Sequence, residues 1–152
     1  MEKKKYPVIT LEDIIKDEQV RTYIEQGNAF LGEIGFTEHG FAHAKRSSNY
    51  ASNILKSLGY DERACELAAI AGYMHDIGNV VNRVAHAQSG ALMAFTILTN
   101  LNMDPQEIAQ ITAAIGNHDE GTAAAVSPIA AALILSDKGD VRRTRVRDKS
   151  SV

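Results

Sequence analysis

The pair His75-Asp76 places an imidazole next to a carboxylate, and it follows a run of good helix formers, Ala64 to Ala71. Consecutive side chains on a helix lie about 100° apart, so both groups can lean toward one space the size of a metal ion. A buried carboxylate beside a histidine is costly unless a cation or hydrogen-bond donors compensate it. Gly78 would then let another segment approach closely. The stretch indicates a cation site, provided that the rest of the chain supplies further ligands.

Those further ligands are available at or near the ends of predicted helices. The chain has five histidines: His39, His43, His75, His86 and His118. Two carboxylates stand in similar positions, Asp76 and Asp137. A lone histidine in a helical protein is usually structural or exposed. Because helix ends on one side of a bundle can converge on one cavity, the seven residues together favour a common site over seven separate structural roles.

Helices must position these residues, since apolar residues recur at helical spacing along most of the chain. Capping signals at Thr10, Asp61 and Asp104-Pro105 mark helix starts. The predicted helices cover about residues 11–16, 18–34, 41–58, 62–74, 86–98, 105–117 and 129–136. Residues 79–85 read as a short irregular piece, and the last helix is expected to continue into the basic stretch. The predicted fold is all-α, a compact bundle of about six or seven helices.

The composition excludes several classes of protein. A chain of 152 residues is long enough for one domain with a real core, and its net charge of −3 gives no sign of nucleic-acid or membrane binding. No apolar run is long enough to span a bilayer. The single cysteine, Cys65, excludes an intramolecular disulfide, fits a cytoplasmic location and is expected to be a core residue. The oligomeric state is left open.

The order of the candidate ligands resembles that of the HD-domain superfamily of metal-dependent phosphohydrolases. His43-Ala-Lys-Arg-Ser47, His75-Asp-Ile-Gly78 and Ser136-Asp-Lys138 look like its successive ligand elements. The similarity covers about residues 36–145 of a single domain spanning 1–152, with N-terminal helices over 1–35 and a charged tail over 146–152. The resemblance implies that a first metal ion is held by His43, His75, Asp76 and Asp137.

Two further elements resemble the binuclear members of that superfamily. His86-Ala-Gln-Ser-Gly-Ala91 is similar to their His-x-x-x-Gly-Ala element, and Asn117-His-Asp-Glu120 to their His-His-Glu element. The resemblance implies a second ion held by His86 and His118, with Asp76 bridging both ions. It marks Asp76 and His118 as the residues on which catalysis depends. Nitrogen and carboxylate ligands without thiolate suit iron or manganese, with magnesium possible and zinc less favoured.

The implied activity is hydrolysis of a phosphomonoester or phosphodiester of a small molecule, a nucleotide being favoured, by a metal-activated water. Two departures from the HD-GYP pattern narrow the range of candidate substrates. HD-GYP phosphodiesterases usually carry lysine where this chain has Asn79, and their Gly-Tyr-Pro is absent after residue 120. The chain is therefore related to that group but not typical of it, and a cyclic dinucleotide is a poor candidate substrate. Asn117 replaces the first histidine of His-His-Glu, which would weaken the hold on the second metal.

Three residues have alternative roles. His39 precedes His43 by four residues and could be a ligand, bind substrate, orient His43 or be structural. Lys138 and Arg142 could bind a substrate phosphate or form a solvated basic helix end.

Two other functions of the protein also remain open: a non-hydrolytic regulatory or binding module on the same fold, and a di-iron oxygenase.

Overall fold

The computed structural model describes residues 5–119, 121 and 123–139, and over these residues the fold is helical. Seven α-helices and one 3-10 helix follow one another: α1 Leu11–Lys16, α2 Glu18–Glu33, α3 Phe41–Ser57, α4 Glu62–Met74, the 3-10 helix Ile77–Val80, α5 His86–Asn100, α6 Pro105–Gly116 and α7 Pro128–Lys138. No strand occurs among the described residues. The prediction of an all-α fold with six or seven helices is confirmed, and the basic stretch after residue 139 lies outside the described residues.

The helix starts follow the predicted capping chemistry. Thr10 accepts a hydrogen bond from the Asp13 backbone N–H, and the Asp13 carboxylate accepts one from Thr10. Asp61 and Asp104 cap α4 and α6 in the predicted way, and Pro105 is the first residue of α6. These caps satisfy N–H groups that have no partner within the helix.

Helix α4 forms the centre of the bundle, where all residues from 67 to 75 are buried. A Cβ atom on Gly72 would lie 2.8 Å from the backbone oxygen of Ser47, so α3 and α4 cross almost backbone to backbone. His43 precedes Ser47 by about one turn and His75 follows Gly72 by about one turn, so this crossing brings the two histidines together. Cys65 is buried in α4, which confirms its expected place in the core.

The end of α4 differs from the prediction that His75 and Asp76 share a helix. The helix ends at Met74; His75 still has helical dihedral angles, but Asp76 does not, with φ −104° and ψ 7°. The chain turns at once into the 3-10 helix Ile77–Val80, which also replaces part of the irregular piece predicted over 79–85. The cause is tertiary packing at Gly78.

Gly78 lies directly against the backbone of α5. A Cβ atom at this position would clash with the backbone oxygen of His86 and lie 2.6 Å from the backbone nitrogen of Gly90. The close approach predicted for Gly78 is thus confirmed, and it carries the chain from α4 to the first turn of α5. No helix in the described ranges is both long and apolar enough to cross a membrane.

Candidate metal centre

Five helix ends meet at one place in the bundle. His43 lies in the first turn of α3, His75 at the end of α4, His86 at the start of α5, His118 just after α6, and Asp137 in the last turn of α7. The four histidines are at most 2% exposed. The convergence expected from the sequence is therefore present, with Asp76 at its centre.

The first cluster joins His43, His75, Asp76 and Asp137. The Nε2 atoms of the two histidines are 3.1 Å apart. Asp137 Oδ1 lies 3.2 Å from His43 Nε2 and 3.1 Å from His75 Nε2. Asp76 Oδ2 lies 3.2 and 3.0 Å from the same two nitrogens. Four ligand atoms thus surround a space that could hold one metal ion.

The second cluster joins Asp76, His86 and His118. The Nε2 atoms of the two histidines are 3.1 Å apart. They lie 3.4 and 3.8 Å from Asp76 Oδ1, which is the carboxylate oxygen that does not face the first cluster. Each oxygen of Asp76 therefore faces a different pair of histidines, which is the arrangement that a bridging carboxylate requires.

The donor set fits a bound cation. The Nδ1 atoms of His75, His86 and His118 lie 2.6, 3.0 and 2.5 Å from the backbone oxygens of the residues three positions before them. If Nδ1 carries the proton, it donates to that oxygen, and Nε2 keeps a lone pair aimed into the cluster.

Two lone pairs that face one another at 3.1 Å repel, so a proton on one nitrogen or a cation between them must offset the repulsion. Asp76 Oδ2 is buried, and among the described residues it accepts no hydrogen bond of good geometry. His75 Nε2 lies 3.0 Å from this oxygen, and the two form an ion pair only when the imidazole is protonated. A cation would satisfy the carboxylate and the imidazoles together.

Without a cation, protons take its place. Burial lowers the pKa of His75, but the charge of Asp76 and the contacts with Asp137 together outweigh burial and leave this pKa well above its usual range. Burial lowers the pKa of His43, yet its contacts with Asp137 and Asp76 leave it raised. Burial raises the pKa of Asp76, but the charge of His75 and the contacts with His118 and His43 together hold it well below the usual value. The hydrogen bonds from His43 and His75 likewise overcome burial and lower the pKa of Asp137.

A cavity of about 210 Å³ opens beside the two clusters. The described residues that line it are Thr37, His39, Arg83, His86, Asp119, Asp137 and Lys138. A larger cavity of about 490 Å³ has a mainly apolar lining that includes Phe95 and Met103. None of its described lining residues belongs to either cluster. The smaller cavity is therefore the candidate substrate site, because it lies beside the candidate metal ligands.

The structure places the remaining predicted site residues as follows. The His39 ring lies 5.5 Å from the His43 ring, and its Nδ1 is 2.7 Å from the Thr37 backbone oxygen, but neither cluster includes it. Lys138 borders the cavity. Arg142 lies outside the described residues. Asn117, predicted to weaken the second site, donates its side-chain amide to the backbone oxygen of Ala113.

Sequence reasoning missed Arg83. Its Nη1 atom lies 3.7 Å from Asp76 Oδ1 and donates to Asn79 Oδ1 at 3.1 Å. The one signal that could have found it is position: a lone arginine stands between the His75-Asp76 pair and His86, and both of those elements carry candidate ligands.

Comparison with known proteins supports the resemblance seen in the motifs. A family model described as HD domain matches residues 40–148, well over half of the chain. An uncharacterized protein of Methanocaldococcus jannaschii, MJ1020, is 27% identical, and the match covers 93% of this chain and 62% of that protein.

A solved structure is also similar. The crystal structure of a predicted HD superfamily hydrolase from an uncultured Thermotogales bacterium has a TM-score of 0.64 and 25% identity, over 84% of this chain and 66% of its own. The chain thus spans about two thirds of the length of both relatives.

Proposed function

Because this chain belongs to the HD domain family, we propose that it is a metal-dependent phosphohydrolase that binds two divalent cations at Asp76. One observation carries the proposal. Asp76 Oδ2 lies within 3.2 Å of His43 and His75, while its Oδ1 lies 3.4 and 3.8 Å from His86 and His118. A mononuclear site would need only one of these two pairs of buried imidazoles, whereas the two oxygens of Asp76 face both pairs.

The ligand set favours iron or manganese, with magnesium possible, because it offers imidazole and carboxylate but no thiolate. Two such ions, when bound, would lower the pKa of a water molecule and offset negative charge on a phosphoryl group. In this proposal Asp76 links the two sites and His118 completes the second one. Turnover depends on both.

The chain's own residues prepare the site for that chemistry. When Nδ1 carries the proton, the backbone oxygens that accept from it fix the ring orientation of three histidines before any ion binds. Burial of these side chains keeps bulk water away from the charged centre, which strengthens electrostatic interactions there. Lys138, His39 and, in the sequence-based proposal, Arg142 would contact the substrate at the open side.

The proposed substrate is a small phosphorylated molecule, and a nucleotide is favoured. We also propose a cytoplasmic location for the enzyme. Family membership alone does not identify which phosphoester is hydrolysed. The test is therefore broad: protein purified without chelator is reconstituted with Mn²⁺ or Fe²⁺ and assayed against a panel of phosphomonoesters and phosphodiesters. We expect metal-dependent hydrolysis of at least one substrate.

Asp76→Asn should abolish that hydrolysis and weaken metal retention. Asp104→Asn is the matched control, because asparagine caps a helix as well as aspartate does and Asp104 caps α6. Normal turnover and metal content in Asp76→Asn would contradict the proposal. A metal-loaded protein without turnover on the panel would favour a non-hydrolytic module, and oxygen consumption by the reduced di-iron protein would favour an oxygenase.

A further inference from the structure

Arg83 places a guanidinium group at the wall of the cavity beside the second cluster. Its side chain is 30% exposed and lines the cavity of about 210 Å³ together with His39 and Lys138. Its Nη1 atom is 3.7 Å from Asp76 Oδ1. That separation is longer than in a hydrogen-bonded ion pair, where nitrogen and oxygen lie about 2.7–2.9 Å apart. Arg83 therefore does not form a close ion pair with Asp76.

Neighbouring residues hold Arg83 in this position. Asn79 is only 3% exposed and accepts a hydrogen bond from Arg83 Nη1 at 3.1 Å. The guanidinium carbon lies 5.6 Å from the centre of the Phe36 ring, within the range of a cation–π contact. A Cβ atom on Gly27 would lie 3.3 Å from the Asn79 side chain, so α2 packs closely over this support. The side chain is thus oriented before a ligand arrives.

We propose that Arg83 binds the phosphoryl group of a phosphomonoester and holds it against the metal centre. This inference rests on the proposed phosphohydrolase function and adds to it a residue and a substrate class. A guanidinium presents several N–H donors in a planar fork that matches two oxygens of one phosphate. Asp76 Oδ1 also faces His86 and His118, so its charge is shared and does not engage Arg83 alone.

The size of the cavity favours a monoester. Pockets that enclose a whole drug-sized ligand measure roughly 300–1,000 Å³, whereas this cavity measures about 210 Å³. It suits a terminal phosphoryl group whose single ester substituent points out of the cavity. A diester carries substituents on two oxygens and needs more room. Lys138 also lines the cavity and adds a second positive charge for a dianionic group, while Asp119 in the same lining adds a negative one.

Calorimetric titration of the Mn²⁺-reconstituted protein with inorganic phosphate tests this role without relying on turnover. We expect Arg83→Gln to keep the metal content of the wild type but to bind phosphate about 10- to 100-fold more weakly, as expected for the loss of a charge-assisted contact. Arg83→Lys should lie between the two, because lysine keeps the charge without the fork. Arg21→Gln, at an exposed position on α2, is the control and should change nothing.

Two results would overturn the role of Arg83 while leaving the proposed function intact. One is unchanged phosphate binding by Arg83→Gln in a protein whose wild type hydrolyses monoesters. The other is loss of metal from Arg83→Gln, which would mean that Arg83 supports Asp76. A metal-loaded wild type that neither binds phosphate nor hydrolyses any phosphoester would overturn both proposals. Preferential hydrolysis of diesters would overturn the substrate class.

Discussion

The Nε2 atoms of His86 and His118 lie 3.1 Å apart, although the two residues are 32 positions apart in the chain. His43 and His75 repeat the relationship, with the same separation in space and in sequence. In each pair one histidine lies at a helix start and the other follows a helix end. The two pairs meet at Asp76, so each pair can be disabled separately by mutation.

The first prediction uses that separation. His118→Ala should remove one ligand of the second site, spare the first metal ion and lose most of the activity. His86→Ala should give the same result, because both imidazoles face Asp76 Oδ1. Metal content per chain and turnover are measured on each variant, with circular dichroism to verify folding. Loss of all metal from a folded His118→Ala variant would contradict the independence of the two sites.

The second prediction concerns pH. In the metal-free protein the pKa of His75 lies above 6.5, so its contribution to stability is complete below about pH 6.5 and is lost as pH rises through the folded-state pKa. The pKa values of Asp76 and Asp137 lie below 3.8, so their contribution is present above about pH 3.8 and is lost at lower pH. This cluster should therefore stabilise the chelator-treated protein most between about pH 4 and 6.5.

The metal-loaded protein should respond in the opposite way above pH 6.5. Metal binding releases protons from the histidines, so binding strengthens as pH rises. Urea unfolding at several pH values, with and without chelator, measures both slopes. His75→Gln serves as the control, since it should flatten the alkaline decline of the metal-free protein. Identical slopes with and without metal would contradict a cation site at His75.

The third prediction concerns the packing of Gly78 on α5. Gly78→Ala would force a methyl group into the backbone of His86 and Gly90, and overpacking typically costs about 1–3 kcal/mol. Because the clash displaces His86, metal content should also fall. Gly116→Ala is the matched control: its added methyl would meet Ala91 at an ordinary 3.5 Å, so stability should hold or rise slightly. Thermal unfolding compares the two, and equal stability would contradict this packing.

The helices and most of the candidate site could be predicted because local rules decide them. Thr10, Asp61 and Asp104 mark helix starts by side-chain chemistry that sequence alone displays. His43, His75, His86 and His118 were predicted to converge because each stands at or near a helix end, and their roles as ligands stay predictions until metal is measured.

The parts that could not be predicted depend on tertiary contacts. Whether α4 continues through Asp76 is decided by the approach of α5 at Gly78, and helix propensity contains no information on it. Arg83 was missed because its direction depends on the turn before α5. Ala85 adopts the left-handed region there, with φ 57°, where glycine or asparagine would be the usual signal.

The most direct test of the central claim, that Asp76 links two metal sites, is the metal content per chain after reconstitution. Protein purified without chelator, loaded with Mn²⁺ or Fe²⁺ and freed of excess ion is analysed by inductively coupled plasma mass spectrometry. We predict saturation at two ions per chain for the wild type and one for His118→Ala. Saturation of the wild type at a single ion would contradict the claim and remove His86 and His118 from the ligand set.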